Sequence, residues 1–143
     1  MKQILAILIL LFVSLQGFSQ KTNKAKMQAT YNAIKAAGIV QPDMVMAQCI
    51  QETGWLNCNN CCLRYHNLFG FFKRNMKCMK FDSDEECIQY YKKWQDKRYP
   101  KWIEKNPKGT YYDFLKFSNY ATSPTYNKEL KNFVAWVRKN LKL

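Results

Sequence analysis

Glu52 is the residue whose setting asks most of its chemistry. It is the one acid in the run AQCIQETGW from Ala47 to Trp55, and Gly54 closes that run two residues after it. If the run is helical, Glu52 occupies the last turn, where the partial negative charge of a helix C-terminus opposes a carboxylate. Apolar and aromatic neighbours such as Trp55 and Phe69 would strip water from the same group, and both effects raise a carboxyl pKa. A glutamic acid that keeps its proton is what general-acid cleavage of a glycosidic bond requires. A solvated surface glutamate is the plain alternative.

The elements that would position Glu52 can be read from periodicity and punctuation. From Asn23 to Ala37, Met27, Tyr31 and Ile34 recur at helical spacing until Gly38. Pro42 suits the first position of a second helix, which carries Met44, Val45, Ala47, Cys49 and Ile50 and stops at Gly54. Between Gly54 and Phe81 there is no long periodic pattern, only Asn/Cys pairs, the aromatic run NLFGFF and the basic run KRNMKCMK. Ser83 opens SDEE, which predicts a capping box with Glu86 and a helix through Cys87, Tyr90, Tyr91 and Trp94. Asn106 to Gly109 reads as a turn, Thr110 as the cap of a short helix over Tyr111 to Phe117, and Ser123-Pro124 as another start signal. The last helix gathers Tyr126, Leu130, Phe133, Val134, Val137 and Leu141 on one face. The expected fold class is α+β, predominantly α: one disulfide-stabilised domain with a small irregular or short-β lobe after the second helix.

Composition sets the context. Residues 1–20 combine a lysine, an apolar run from Ile4 to Val13 and small or polar residues to Gln20. That run falls far short of the roughly 20 residues a bilayer requires, so it reads as a secretory signal with a mature domain over 21–143, secreted or periplasmic. The six cysteines lie between Cys49 and Cys87, and in an exported chain they favour disulfides whose pairing the sequence leaves open. Zinc held by Cys58, Cys61 and His66 is the rival, weakened by the absence of a second well-spaced C-x-x-C pair. The net charge of +13 favours an anionic partner such as cell wall, acidic polysaccharide, lipid or nucleic acid. Its spread along the chain argues against nucleic acid. A monomer without metal, cofactor or stable membrane insertion is expected.

Four motifs stand in order: AQCIQETGW, NLFGF at Asn67 to Phe71, FDSDEECI from Phe81, and YATSPTYNKEL from Tyr120. Together they resemble glycoside hydrolase family 73, the endo-β-N-acetylglucosaminidases of bacterial peptidoglycan, over roughly Gln41 to Phe133. The resemblance implies a lysozyme-like fold whose helical lobe presents an acid at a helix end facing a groove. It implies Glu52 as the catalytic acid and Tyr120 as an assisting phenol near the reacting sugar. Trp55, Asn67, Phe69, Gly70, Phe71 and Tyr126 are implied to line the substrate groove around peptidoglycan strands. Gly70 would allow close main-chain approach, and the rings would stack on sugar faces.

The chain departs from the family pattern in two places. Ser123 replaces the common Asp of the Y-A-T-D-P-x-Y motif, and Gly70 to Lys80 contains no second carboxylate. Asp82 and Asp84 are the nearest candidates for that second acid, with capping as their alternative role. Without one, the 2-acetamido group of the substrate can itself attack the anomeric centre. A lytic transglycosylase, which needs one acid, and a non-catalytic glycan-binding module with the same groove are the competing readings. A basic nucleic-acid-binding or membrane-active protein is a third, independent of Glu52. His66 reads as a hydrogen-bonded structural residue.

Overall fold

The computed structural model describes residues 23–121 and 123–142; the expected signal segment lies outside them. The first helix, α1, occupies residues 23–36, and Gly38 turns the chain out of it at φ +68°. Its stripe of Met27, Tyr31 and Ile34 is buried, as the helical spacing predicts. Helix α2 runs Pro42–Thr53 and is closed by Gly54, whose left-handed backbone returns its N–H to the Ile50 carbonyl. Helix α3, Asp84–Lys105, is followed by α4, Tyr111–Phe117, and α5, Tyr126–Asn140. A single 3-10 turn, Cys62–Tyr65, interrupts the irregular lobe between α2 and α3.

Helices α2 and α5 form the central pair. At one end Arg138 Nε donates to Asp43 Oδ2 at 2.5 Å, and at the other Gln51 Nε2 donates to Glu129 Oε2 at 3.3 Å. The two helices therefore run antiparallel, which brings the C-terminal end of α2 to the start of α5. Leu130, Val134 and Val137 of α5 share one continuous core with Val45, Met46 and Ile50 of α2.

The irregular lobe is a loop clasped by covalent and polar ties. Its β content reduces, among the described residues, to one antiparallel bridge between Phe72 and Cys78. Disulfides join Cys58 to Cys61 and Cys62 to Cys78, while Cys49 and Cys87 are buried thiols. The zinc set is thus replaced by a disulfide at Cys58 and Cys61, and His66 Nδ1 lies 2.8 Å from Asp84 Oδ1.

Two helix starts differ from expectation. Ser83 Oγ caps α3 by accepting from Glu86 N at 3.1 Å, but Glu86 reaches back to the N–H of Asp82 rather than Ser83. The reciprocal bond of the box is displaced by one residue. Helix α5 begins two residues beyond Ser123-Pro124, because those residues form a turn in which Ser123 Oγ accepts from Thr125 N at 3.3 Å. Thr110, by contrast, forms a full capping box with Asp113. Among the described residues no helix is long and apolar enough to cross a membrane.

Candidate active site

Glu52 stands in the last turn of α2, partly buried. Burial lifts its carboxyl above the usual carboxylate range, and the Tyr126 phenol beside it draws the pKa partly back down. The helix end continues into three successive left-handed residues, Gly54, Trp55 and Leu56, with φ of 53°, 65° and 58°. Two of these carry side chains that disfavour that region, so the turn stores strain. Thr53 supports it: its hydroxyl donates to the Cys49 carbonyl at 2.6 Å and accepts from Leu56 N at 3.0 Å.

The NLFG segment forms the opposing wall. Gly70, at φ +65°, packs its main chain directly on the Glu52 side chain: a Cβ there would stand 3.0 Å from the carboxyl carbon and closer still to Oε2. A side chain here fits only if the Glu52 carboxyl moves. Asn67 holds this segment in place, with Nδ2 donating to the carbonyls of Phe71 (2.8 Å) and Met79 (3.0 Å) and Oδ1 accepting from Phe71 N (3.0 Å). Its polar atoms are engaged by main chain, so Asn67 shapes the loop. Phe69 is buried against Tyr91, with ring centroids 4.6 Å apart, and Phe71 is partly exposed beside Tyr90 at 4.9 Å.

Tyr120 reaches the same wall from the segment before α5. Its hydroxyl donates to the Phe69 carbonyl at 2.6 Å, tying that segment to NLFG. Desolvation, Tyr126 and the Glu52 carboxyl all push the Tyr120 phenol well above its usual pKa. Tyr126 is buried, its ring 6.0 Å from that of Tyr120, and its hydroxyl lacks any partner in full hydrogen-bond geometry although it acts on Glu52. Glu52, Gly70, Tyr120 and Tyr126 are therefore brought together from three separate parts of the chain.

Trp55 turns toward α5, where Trp136 and Phe133 meet it edge-on at 4.8 and 5.4 Å. With Gly54, Asn57 and Trp136 it lines a hollow of about 560 Å3. A second hollow, of about 630 Å3, runs past Tyr126, Ser123, Asn119 and Lys116. Neither is lined by Glu52. Asp82 is exposed and Asp84 is engaged with His66; neither is among the groups that act on the Glu52 carboxyl. Among the described residues, no three or more His, Cys, Asp or Glu side chains gather as a metal site.

Sequence reasoning missed a buried polar row behind the acid. Gln48, one helical turn before Glu52, accepts from Tyr91 OH at 2.7 Å, Tyr91 shares a 2.8 Å hydrogen bond with Tyr111, and Gln95 Nε2 donates to Tyr111 OH at 2.8 Å. The signal available was Gln48 itself, a polar residue set four positions before Glu52 in an apolar run.

A helical domain that holds one partly buried carboxyl of raised pKa at a helix end against a glycine wall has the make-up of a glycoside hydrolase. The family model Glucosaminidase, described as mannosyl-glycoprotein endo-beta-N-acetylglucosaminidase, matches residues 27–138. The chain belongs to that family, glycoside hydrolase family 73, whose activity is that of a peptidoglycan endo-β-N-acetylglucosaminidase. Neither a curated protein nor a solved structure matches it.

Proposed function

We propose that the protein is an exported peptidoglycan hydrolase that cleaves the β-1,4 bond after N-acetylglucosamine, with Glu52 as general acid and Tyr120 assisting. The observation that carries this reading is the contact between Gly70 and the Glu52 carboxyl. It shields one side of the acid from water, in keeping with the desolvation that raises its pKa. Glu52 then gives its proton to the leaving glycosidic oxygen.

The isolation of Glu52 from Asp82 and Asp84 supports a substrate-assisted route over a two-carboxylate one. The 2-acetamido oxygen attacks the anomeric carbon as the glycosidic C–O bond breaks, giving an oxazoline-like intermediate. Water opens that ring, and the Glu52 carboxylate takes the proton water releases. The Tyr120 proton is committed to the Phe69 carbonyl, so its oxygen presents lone pairs, suited to the positive charge that develops at the sugar. Residues 1–20 act as the export signal, the mature domain begins at about Lys21, and its charge, about +12 once Lys2 is removed, draws the mature protein to an anionic wall.

Mass spectrometry of fragments released from purified peptidoglycan by the oxidised mature protein, beside Glu52→Gln, tests this reading. Reducing N-acetylglucosamine ends, absent with the variant, are expected. Anhydro ends would move the assignment to a lytic transglycosylase. No fragments from either protein, with wall binding intact, would make it a binding module. Inversion at the anomeric carbon of the first product would exclude the substrate-assisted route.

A further inference from the structure

We propose that the hollow between the C-terminal half of α3 and the end of α4 is a second binding site, for an acidic glycan chain that carries carboxylates along its length. The choice of a glycan over other polyanions rests on the reading of the protein as a wall hydrolase.

Lys97, Arg98, Lys101 and Lys105 line this hollow of about 400 Å3 together with Phe117. From Lys97 to Lys105 the helix carries one acid, Glu104, and it is not among the lining residues. Among the described residues none of the four cations has a carboxylate partner, whereas Lys92, earlier on the same helix, is paired with Asp96. Lys97, Lys101 and Lys105 stand four residues apart, so their charges follow one another at about 6 Å along one face of the helix and repel. Lys105 complements the negative end of the helix, but that effect fades beyond the last turn and does not account for Lys97 and Lys101. A strip of uncompensated cations at a regular interval suits a ligand whose negative charges also recur, because a single small anion reaches only part of it.

The walls supply contacts for a sugar. Trp102 is buried, its ring centroid 5.6 Å from that of Phe114, and makes a fixed floor. Phe117, the last residue of α4, is 69% exposed and offers its ring to the apolar face of a pyranose. Asn106 Nδ2 donates to the Trp102 carbonyl at 2.8 Å, which leaves Oδ1 to accept from a hydroxyl. Arg98 is held by Trp94, its guanidinium 5.4 Å from the ring centroid and its Nη1 donating to the Trp94 carbonyl at 3.4 Å. A concave site with one exposed ring fits a chain lying in it. A bilayer surface takes up a broad apolar face, and single-stranded nucleic acid is held by successive stacking rings. Glu52, Tyr120 and Tyr126 do not line the hollow, so a strand held here tethers the protein without filling the acid site.

The test is calorimetric binding of the oxidised mature protein to polygalacturonate, a carboxylated sugar polymer, at low and physiological salt. Galacturonic acid, an oligothymidylate and phosphatidylglycerol vesicles are the comparison ligands. The variant Lys97→Gln/Lys101→Gln/Lys105→Gln is set against a charge-matched one, Lys93→Gln/Lys128→Gln/Lys139→Gln, whose lysines are exposed elsewhere. The first should weaken polymer binding about tenfold and the second no more than about twofold. Phe117→Ser should cost about fivefold with the charge unchanged. Binding should fall with salt, and the monomer should bind far more weakly than the polymer. Equal losses in the two triple variants would reduce the effect to net charge, and a Phe117→Ser protein that binds like wild type would remove the sugar contact. Tighter binding of the oligothymidylate or the vesicles through the same lysines would assign the site to nucleic acid or lipid. Any of these, or no polymer binding at all, overturns the proposal. The substituted side chains are exposed, so the variants should melt like wild type by circular dichroism. Binding measured on Glu52→Gln as well as wild type stands or falls separately from the general-acid assignment.

Discussion

Replacing Gly70 with alanine separates the two things this glycine does. Its φ of +65° costs an L-residue about 1 to 2 kcal/mol, and at this domain size about 4 °C of Tm accompanies each kcal/mol. The added Cβ would also stand 3.0 Å from the Glu52 carboxyl carbon. That carboxyl is the end of a flexible side chain, so it swings aside and adds little to the stability loss. Displacing a catalytic group by about 1 Å, however, can cost on the order of 100-fold in rate. Gly38 provides the control, since it has φ +68° but its Cβ would lie 3.7 Å from Lys92 Cε, an ordinary contact away from the acid. Both Gly→Ala variants should therefore lose a similar amount of Tm in calorimetry, while only Gly70→Ala loses about 100-fold in kcat on peptidoglycan. In that variant the better-solvated Glu52 should also shift the activity optimum to lower pH. A Gly70→Ala enzyme with near-normal kcat, or a Gly38→Ala enzyme equally impaired, would refute the argument that the glycine wall sets the acid.

Three further outcomes follow from named groups. Burial raises the Glu52 pKa, so the folded protein holds a proton that the unfolded chain releases. The stability tied to that proton is full below the unfolded Glu value and is lost as pH rises through the raised folded value. Glu52→Gln should escape this loss, and melts from about pH 4 to pH 8 should show its Tm gaining on wild type across that window; parallel curves would contradict it. Tyr120→Phe leaves the Phe69 carbonyl without its 2.6 Å partner and should cost about 1 to 2 kcal/mol in denaturant unfolding together with a fall in kcat. Burial pushes the Cys49 thiol up and that of Cys87 up to about 12, so a neutral-pH thiol reagent should label neither in the native protein and both after unfolding without reductant. Labelling of the native fold, or no thiols on unfolding, would contradict the assignment.

Local signals were legible wherever local chemistry decides the structure. Pro42 and Gly54 bracket α2, and Thr110 starts α4, because each acts on its own turn of backbone. The glycine of NLFG and the glutamate of ETGW could be placed in one site through family resemblance, although nothing in their spacing brings them together. What stayed hidden depends on partners distant in sequence. The Glu86 side chain could have closed on either Ser83 or Asp82, and only the path of the incoming chain chose. Helix α3 continues past Pro100, and Trp102, two residues on, is buried against Phe114 of α4. The row from Gln95 to Gln48 joins α3, α4 and α2 through side-chain tips, and periodicity treats those residues as ordinary members of their helices. The disulfide pairing likewise awaited the loop path that sets Cys62 opposite Cys78.

The antiparallel pairing of α2 with α5 also sets an order in time. Glu52 belongs to an early helix, but the phenols of Tyr120 and Tyr126 that surround it arrive with the final stretch of chain. Before that stretch packs, the glutamate is an ordinary wet carboxylate. The buried setting that raises the Glu52 pKa therefore exists only once α5 has docked on α2.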